Sequence, residues 1–189
     1  MNQNKIIIIT APSGAGKTSI TKHLMHCFPN LAFSISAATR APRGEEKNGI
    51  DYYFISADDF QEKIEKNEFV EWEMVYEGKY YGTLKSELER IWKKNKIPIL
   101  DIDVKWAIHV QQQYKKNTLS IFIEPPSVEE LKNRLASRGT ESTESIAARV
   151  NKAAFEISFK HHFNKTIVNK NLTEACEEAT KAVEIFLTS

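Results

Sequence analysis

The distribution of apolar residues along the chain predicts alternating strands and helices. Short, nearly continuous apolar stretches of the kind found in parallel strands covered on both faces occur at residues 6–10, 97–103, 119–123 and 165–168. The segments that follow them carry apolar residues at helical spacing, such as Ile20 and Leu24 within residues 17–28. This alternation predicts an α/β fold with a parallel sheet and right-handed crossovers.

Polar residues that can cap helices indicate where three helices begin. Each is followed three residues later by an acidic residue, which is typical of a helix N-terminus. The pairs are Ser56 with Asp59, Ser127 with Glu130, and Asn171 with Glu174.

Two stretches interrupt the alternation. Residues 34–84 are rich in Tyr, Glu, Gly and Arg and contain the strand-like pieces "DYYFI" and "FVEWEMV". This composition predicts a compact insertion between strands of the main sheet. Residues 136–145, "ASRGTESTES", are polar and include a glycine, and they predict a mobile flap.

Composition limits the class of protein. With 189 residues, 41% of them hydrophobic and 27% charged, the chain is typical of one globular domain. The formal net charge of +1 predicts no nucleic-acid partner, so any anion site is local. No apolar run reaches the length of a membrane span or a signal sequence, which predicts a cytoplasmic protein without a membrane partner. Cys27 and Cys176 are predicted to be reduced packing residues in helices, and the sequence does not distinguish a monomer from a homodimer.

The stretch "APSGAGKT" at residues 11–18 has the spacing of a phosphate-binding loop, with Ala11 where the stricter pattern has glycine. Gly14 and Gly16 allow successive backbone N–H groups to converge on phosphate oxygens. Lys17 can bridge terminal phosphates, and the Thr18 hydroxyl is placed to bind Mg²⁺. Because the loop follows a predicted buried strand and opens a predicted helix, its context is the one that this chemistry requires.

Asp101 and Asp103 end the predicted strand at residues 97–103. They therefore lie at the edge where parallel sheets bind ligands. Either carboxylate could hold a water of Mg²⁺, or it could instead cap the following helix.

The predicted insertion contains residue types that suit a nucleoside monophosphate. Arg40 and Arg43 can bind phosphate bidentately, and the Tyr52 and Tyr81 hydroxyls can complete the shell. An ionised Glu71 could accept two parallel hydrogen bonds from guanine N1–H and N2–H₂. Adenine would leave that charge unpaired, at a cost of several kcal/mol in a dry pocket. Taken alone, Glu71 is equally consistent with an exposed charge on a strand.

The order of motifs resembles that of the guanylate kinase family over nearly the whole chain. The motifs are "APSGAGKT", "FSISAATRAPR", "NGIDYYF", "NEFVEWEMV", "YYGT", "ILDID", "PPSVEELKNRLASRGTES" and "IVN". The resemblance implies transfer of phosphate from ATP to GMP with Mg²⁺, and it leaves the use of dGMP open. It also implies a P-loop NTPase-type parallel sheet core with a GMP-binding insertion and a mobile lid. Within a single domain of residues 1–189, these parts correspond to a core at 1–33, 85–125 and 160–189, an insertion at 34–84 and a lid at 126–159.

The resemblance also assigns residues to sites. It implies that ATP is bound by Ala11, Pro12, Ser13, Gly14, Ala15, Gly16, Lys17, Thr18 and Asn169. It implies that GMP is bound by Ser36, Arg40, Arg43, Tyr52, Glu71, Tyr81, Gly82, Thr83, Asp101 and Asp103. The implied catalytic residues are Lys17, Arg40, Arg134, Arg138 and Arg149. Thr18 and, through a water, Asp101 are the implied Mg²⁺ ligands.

Three other functions fit parts of the sequence. Peptide-binding domains similar to guanylate kinases are one, although they typically lack the intact loop present here. A kinase for AMP or a pyrimidine monophosphate is another, and Glu71 with Ser36 argues against it. A GTPase is disfavoured because "NKNL" at residues 169–172 lacks the Asp of the guanine-reading element.

Overall fold

The computed structural model describes residues 4–137 and 143–189. The strands in these ranges are β1 (Ile6–Thr10), β2 (Leu31–Phe33), β3 (Ala37–Ala38), β4 (Tyr53–Phe54), β5 (Phe69–Tyr76), β6 (Lys79–Leu84), β7 (Ile97–Asp101), β8 (Thr118–Glu124) and β9 (Lys165–Val168). The helices are α1 (Lys17–Cys27), α2 (Ala57–Glu65), α3 (Lys85–Lys93), α4 (Val104–Gln113), α5 (Val128–Ala136), α6 (Thr143–Ile157) and α7 (Leu172–Thr188).

The main sheet has five strands in the order β2-β7-β1-β8-β9, and every neighbouring pair is parallel. This confirms the predicted α/β fold and its four predicted strands. The strand β7 ends at Asp101, before the predicted end at residue 103. The edge strand β2 was not predicted, because its three residues are too few to produce a periodic pattern.

The position of β1 at the centre of the main sheet explains why its sequence is continuously apolar. Successive side chains of a strand point to opposite faces of the sheet. Ile7 and Ile9 join the core cluster that includes residues of α1 and α7, whereas Ile6 and Ile8 join the cluster that includes residues of α4. All four are fully buried. Burial of each contributes about 1.5–3 kcal/mol, so this strand anchors both layers of helices.

A second sheet, of order β4-β3-β6-β5, is formed within residues 37–84. Here β6 pairs antiparallel with both β3 and β5. Phe60 of α2 packs on this sheet, with its ring centroid 4.3 Å from that of Phe69 and 5.3 Å from that of Tyr80. The predicted strand-like pieces are present as β4 and β5. The strand β6 was not predicted, because the Gly82 in its interior weakens the sequence pattern of a strand.

The three predicted helix caps are confirmed. The Ser56 and Ser127 hydroxyl oxygens accept hydrogen bonds from the N–H groups of Asp59 and Glu130. The Asn171 side chain accepts from the N–H groups of Thr173 and Glu174.

Helices occupy both ends of the stretch predicted to be a mobile flap, residues 136–145, and its mobility stays a prediction. The helix α5 extends to Ala136, and α6 begins at Thr143. Polar residues are common on exposed helical turns, so polarity alone did not separate a flap from helix ends. Residues 138–142, including the predicted catalytic Arg138, lie outside the described residues.

Neither cysteine is in a disulfide, as predicted. Both lie in helices, as predicted, and Cys176 is buried. The prediction that Cys27 is a packing residue is wrong, because it is exposed at the last residue of α1. Among the described residues, no helix has the length and hydropathy needed to cross a membrane.

Candidate active site

The loop between β1 and α1 lines a cavity of about 280 Å³, which we call the P-loop cavity. Its loop residues are Ala11, Pro12, Ser13, Gly14, Gly16, Lys17 and Thr18. Gly14 and Gly16 have φ angles of 92° and 101°, which residues with a Cβ rarely adopt. Gly16 is the N-cap of α1, so the N–H groups of the first helical turn, which lack partners within the helix, lie at this cavity. The arrangement is suited to binding an anion.

Asn169 supports this loop by contacting its backbone. The side chain is buried, and its Nδ2 donates a hydrogen bond to the carbonyl oxygen of Ala15 at 2.8 Å. A Cβ on Gly16 would lie 2.2 Å from the same Nδ2. Arg134 in turn donates from Nη2 to the carbonyl oxygen of Asn169 at 3.1 Å. These contacts connect α5 to the loop, and the contact of Asn169 with an adenine stays a prediction.

Lys17 and Asp101 form an ion pair at the end of β7, with Nζ and Oδ1 2.5 Å apart. About a fifth of each side chain is exposed, so the pair is accessible from the cavities beside it. The Thr18 hydroxyl and the Asp101 carboxylate are oxygen donors of the kind that Mg²⁺ prefers, and both residues line a common cavity. Across residues 4–137 and 143–189, no group of three or more His, Cys, Asp or Glu side chains could hold a metal. Mg²⁺ in nucleotide sites usually has only one or two carboxylate ligands, so these residues fit it.

One face of α6 lines the opposite wall of the P-loop cavity. Arg149, Lys152 and Glu156 follow the helical spacing i, i+3 and i+7, which places them on the same side. Arg149 donates from Nη1 to the Ser13 hydroxyl oxygen at 2.6 Å, so the helix contacts the loop directly.

Asp103 is the N-cap residue of α4, but its side chain makes no capping hydrogen bond. Instead Lys152 Nζ contacts Asp103 Oδ2 at 2.9 Å and Glu156 Oε1 at 3.5 Å. The alternative that the Asp103 side chain caps α4 is therefore wrong, because its carboxylate is paired with Lys152. Burial, and then the charge of Asp103, raise the pKa of Glu156 to about 7.

Arg40 lies at the centre of a polar cluster beside the second sheet. Its guanidinium contacts both carboxylate oxygens of Glu46, at 2.5 and 2.8 Å, and donates from Nε to the Tyr81 hydroxyl at 3.0 Å. The guanidinium carbon also lies 4.8 Å from the centroid of the Tyr52 ring. The hydrogen bonds from Arg40, followed by that from the Arg43 N–H, lower the pKa of Glu46 to about 2. A planar guanidinium held in this way is suited to binding an oxyanion bidentately.

Two other predicted residues have mainly backbone contacts. Arg43 is exposed, and its N–H donates to Glu46 Oε2 at 2.8 Å. Gly82 pairs with Trp72 in β5, and a Cβ on it would lie 2.7 Å from the carbonyl oxygen of Glu71. Gly82 therefore allows β5 and β6 to approach closely.

Glu71 is buried in β5, which removes the alternative of an exposed strand charge. Thr83 donates from Oγ1 to Glu71 Oε1 at 2.6 Å. Burial raises the pKa of Glu71 to about 7, although the hydrogen bonds from Thr83 act in the opposite direction. The charges of Glu73 and Asp103 make smaller contributions that raise the pKa further.

A larger cavity, of about 520 Å³, lies between the main sheet and residues 36–52, and we call it the cleft cavity. Thr18 of α1 and Asp101 of β7 line it on one side, while Ser36, Glu46 and Tyr52 line it on the other. Its volume is typical of a small-molecule site. The fold thus brings Thr18, at the start of α1, and Asp101, at the end of β7, to a common cavity with Ser36, Glu46 and Tyr52 from the segments that flank the strands β3 and β4.

Three charged residues of these sites were not identified from the sequence: Glu46, Lys152 and Glu156. The spacing of Lys152 and Glu156 from Arg149 along a helix could have identified both. Glu46 has no such signal, because its contact with Arg40 depends on the fold of the intervening loop.

Comparison with known proteins places these features in a family. A sequence model of the family "Guanylate kinase" matches residues 3–185. A guanylate kinase of Porphyromonas gingivalis is 52% identical over 97% of this chain and 98% of its own length. A guanylate kinase of Salinibacter ruber is 39% identical over the full length of both chains.

The fold comparison agrees with the sequence comparison. A crystal structure of guanylate kinase from Anaplasma phagocytophilum matches with a TM-score of 0.73 and 31% identity, over 96% of this chain and 85% of that one. The P-loop, the second sheet and the cleft cavity thus occur in a chain that matches the family model almost from end to end, and this protein belongs to the guanylate kinase family.

Proposed function

We propose that the protein transfers the γ-phosphoryl group of ATP to GMP, giving ADP and GDP. The observation that carries this proposal is the cleft cavity, which Thr18 and Asp101 line from the core and Ser36 and Tyr52 line from positions next to the second sheet. A phosphate donor at the loop and an acceptor at the second sheet would therefore face each other. The relatives named above, all called guanylate kinases, support the same reaction.

We propose that the P-loop cavity binds the ATP phosphates. The N–H groups at the start of α1 and the Lys17 ammonium would contact phosphate oxygens, with Asp101 holding Lys17 in place beforehand. Arg149, next to Ser13, lies where it can neutralise charge on the transferring group. Arg134 would act from α5 through Asn169, and a similar role for Arg138 stays a prediction.

We propose that GMP binds on the side of the second sheet. Glu71 in its ionised form would accept from guanine N1–H and N2–H₂, and Ser36, Thr83 and Asp103 would complete the recognition of the base. Arg40, Arg43, Tyr52 and Tyr81 would bind the phosphate. Arg40 contacts a carboxylate, that of Glu46, in this structure, so phosphate would share or replace that contact.

The reaction needs alignment and charge neutralisation more than proton transfer. An anionic oxygen of the GMP phosphate would form the new bond to the γ-phosphorus as the bond to the β,γ-bridging oxygen breaks, and ADP would leave with that electron pair. Thr18 and, through a water, Asp101 would hold Mg²⁺, which would supply positive charge to the phosphates when bound. Exclusion of water from the cleft would prevent hydrolysis of ATP.

Each proposed role belongs to a separate part of the chain. The core, at residues 1–33, 85–125 and 160–189, would bind ATP, and the insertion at 34–84 would bind GMP. The lid, at residues 126–159, includes α5 and α6 and would bring Arg149 onto the phosphates. A cytoplasmic location also stays a prediction.

ADP release from ATP and Mg²⁺ in the presence of GMP, AMP, CMP or UMP tests this proposal. We expect rapid release with GMP and release close to the ATP-only rate with the other three. Equal rates with and without GMP would contradict the proposal and favour a binding module. Faster release with another monophosphate would instead identify a kinase with a different acceptor.

A further inference from the structure

The amino group of Lys152 lies between two carboxylates that belong to different parts of the fold. It is 2.9 Å from Asp103, which precedes α4, and 3.5 Å from Glu156, one turn further along α6. Glu156 is buried, whereas the Lys152 side chain is 60% exposed. Lys152 therefore connects α6 to the loop that follows β7.

Asp103 is also electrostatically linked to the proposed GMP site. Its charge raises the pKa of Glu71, in the second sheet, and of Glu156, in the P-loop cavity. Asp103 also lines the P-loop cavity and, together with Glu73 of β5, a neighbouring cavity of about 260 Å³. It therefore lies beside both sites, and Lys152 contacts it.

The same face of α6 reaches the phosphate-binding loop. Arg149, one turn before Lys152, donates to the Ser13 hydroxyl oxygen. The helix therefore contacts the loop at one point and Asp103 at the next. Without the cation, Asp103 and Glu156 would repel each other across the gap that Lys152 now bridges. Any outward shift of α6 would move Arg149 as well.

Building on the proposed function, we propose that Lys152 is a positioning residue that couples the two nucleotide sites. By holding Asp103 against α6, it makes the position of Arg149 over the loop depend on the position of a carboxylate at the GMP site. Binding of one nucleotide then favours the arrangement that binds the other. Because coupling between sites is reciprocal, either nucleotide can be used to measure it.

The test is the dissociation constant of GMP, measured by calorimetry with Mg²⁺ in the absence and presence of a saturating non-hydrolysable ATP analogue. For the wild-type protein we expect the analogue to tighten GMP binding about fivefold or more. The coupling ratio is the dissociation constant of GMP without the analogue divided by that with it. In Lys152→Gln this ratio should fall below about two, whereas Lys152→Arg, which keeps the charge, should retain most of the wild-type ratio.

The matched control is Lys165→Gln, which removes a lysine–glutamate pair of 2.6 Å between β9 and α7. It should leave the ratio unchanged, and melting temperatures of all variants should confirm that they are folded. A wild-type ratio in Lys152→Gln would overturn the inference. An equal change in GMP affinity with and without the analogue would also overturn it, because that result indicates only a local charge effect.

Failure of the proposed function has a different signature. It would appear as no GMP-dependent ADP release by the wild-type protein. The coupling ratio is measured by binding alone. If the wild-type enzyme is active but shows no coupling, only the proposed role of Lys152 is contradicted.

Discussion

Thr83 donates a hydrogen bond to Glu71 across 2.6 Å in the interior of the second sheet. Although this bond favours the ionised carboxylate, burial has the larger effect and raises the pKa of Glu71 to about 7. Glu71 therefore exchanges its proton near neutral pH. Only the ionised form can accept two hydrogen bonds from guanine, so this single group links acceptor binding to pH.

We expect the affinity for GMP to increase with pH up to about 7 and then to level off. Below that value, each unit of pH should change the contribution of Glu71 about tenfold, because the ionised fraction changes by that factor. Glu71→Gln should remove this dependence and weaken GMP binding about tenfold or more. Since both proteins bind the same titrating GMP phosphate, the difference between their pH profiles isolates Glu71. Parallel profiles would contradict the role of Glu71 in reading the base.

The same group makes a prediction about stability in the absence of nucleotide. Because the folded pKa is raised from 4.5 to about 7, the folded protein binds more protons than the unfolded one between these values. The free energy of unfolding should therefore decrease as pH rises from 4.5 to 7, by about 3 kcal/mol from Glu71. Denaturant unfolding of Glu71→Gln over this range should show a smaller decrease. Glu156 contributes in the same direction and remains in both proteins.

Gly16→Ala should disable the phosphate-binding loop. The residue has a φ of 101°, and its new Cβ would lie 2.2 Å from Asn169 Nδ2, so the hydrogen bond to Ala15 would also be lost. We expect a loss of about 2–4 kcal/mol in the free energy of unfolding and no measurable ATP binding. Gly44→Ala is the control, because Gly44 has a φ of 55° but no atom within 4 Å of a Cβ. A similar loss in the free energy of unfolding for both variants would show that backbone strain alone, without the Asn169 contact, explains the destabilisation.

Lys17→Ala should lower kcat by about 10²–10³-fold, because the ammonium would stabilise charge on the transferring phosphoryl group. It should also leave Asp101 without its 2.5 Å partner. Steady-state ADP release measures the effect, and Lys181→Ala, an exposed lysine of α7, should be unchanged. A rate for Lys17→Ala close to that of the wild type would contradict its proposed role.

Arg40→Lys should raise the KM for GMP about tenfold or more and leave the KM for ATP nearly unchanged. Lysine keeps the charge but cannot form the paired contacts that Arg40 makes with the two oxygens of Glu46. Comparison of the two KM values in one variant separates a local effect from general damage. An equal rise in both would indicate that Arg40 supports the fold rather than the acceptor site.

Much of the fold follows from local patterns in the sequence. The apolar run of β1, the helical spacing of α1 and the cap at Ser127 each depend on neighbouring residues, so the chain determines them directly. The same is true of the loop at residues 11–18, whose glycines and lysine specify anion binding by their spacing. The edge strand β2 and the glycine-containing β6 were missed, because pairing with other strands, rather than local preference, makes them strands.

The tertiary structure alone decided which charges meet. Asn169 reaches Ala15 and Lys152 reaches Asp103 across long separations in sequence, through packing that no local pattern encodes. The burial that raises the pKa of Glu71 also arises only when the second sheet forms. Local spacing thus determined the chemical groups available to this protein, and folding determined their partners and their protonation, because electrostatic energies depend on distance and burial rather than on order along the chain.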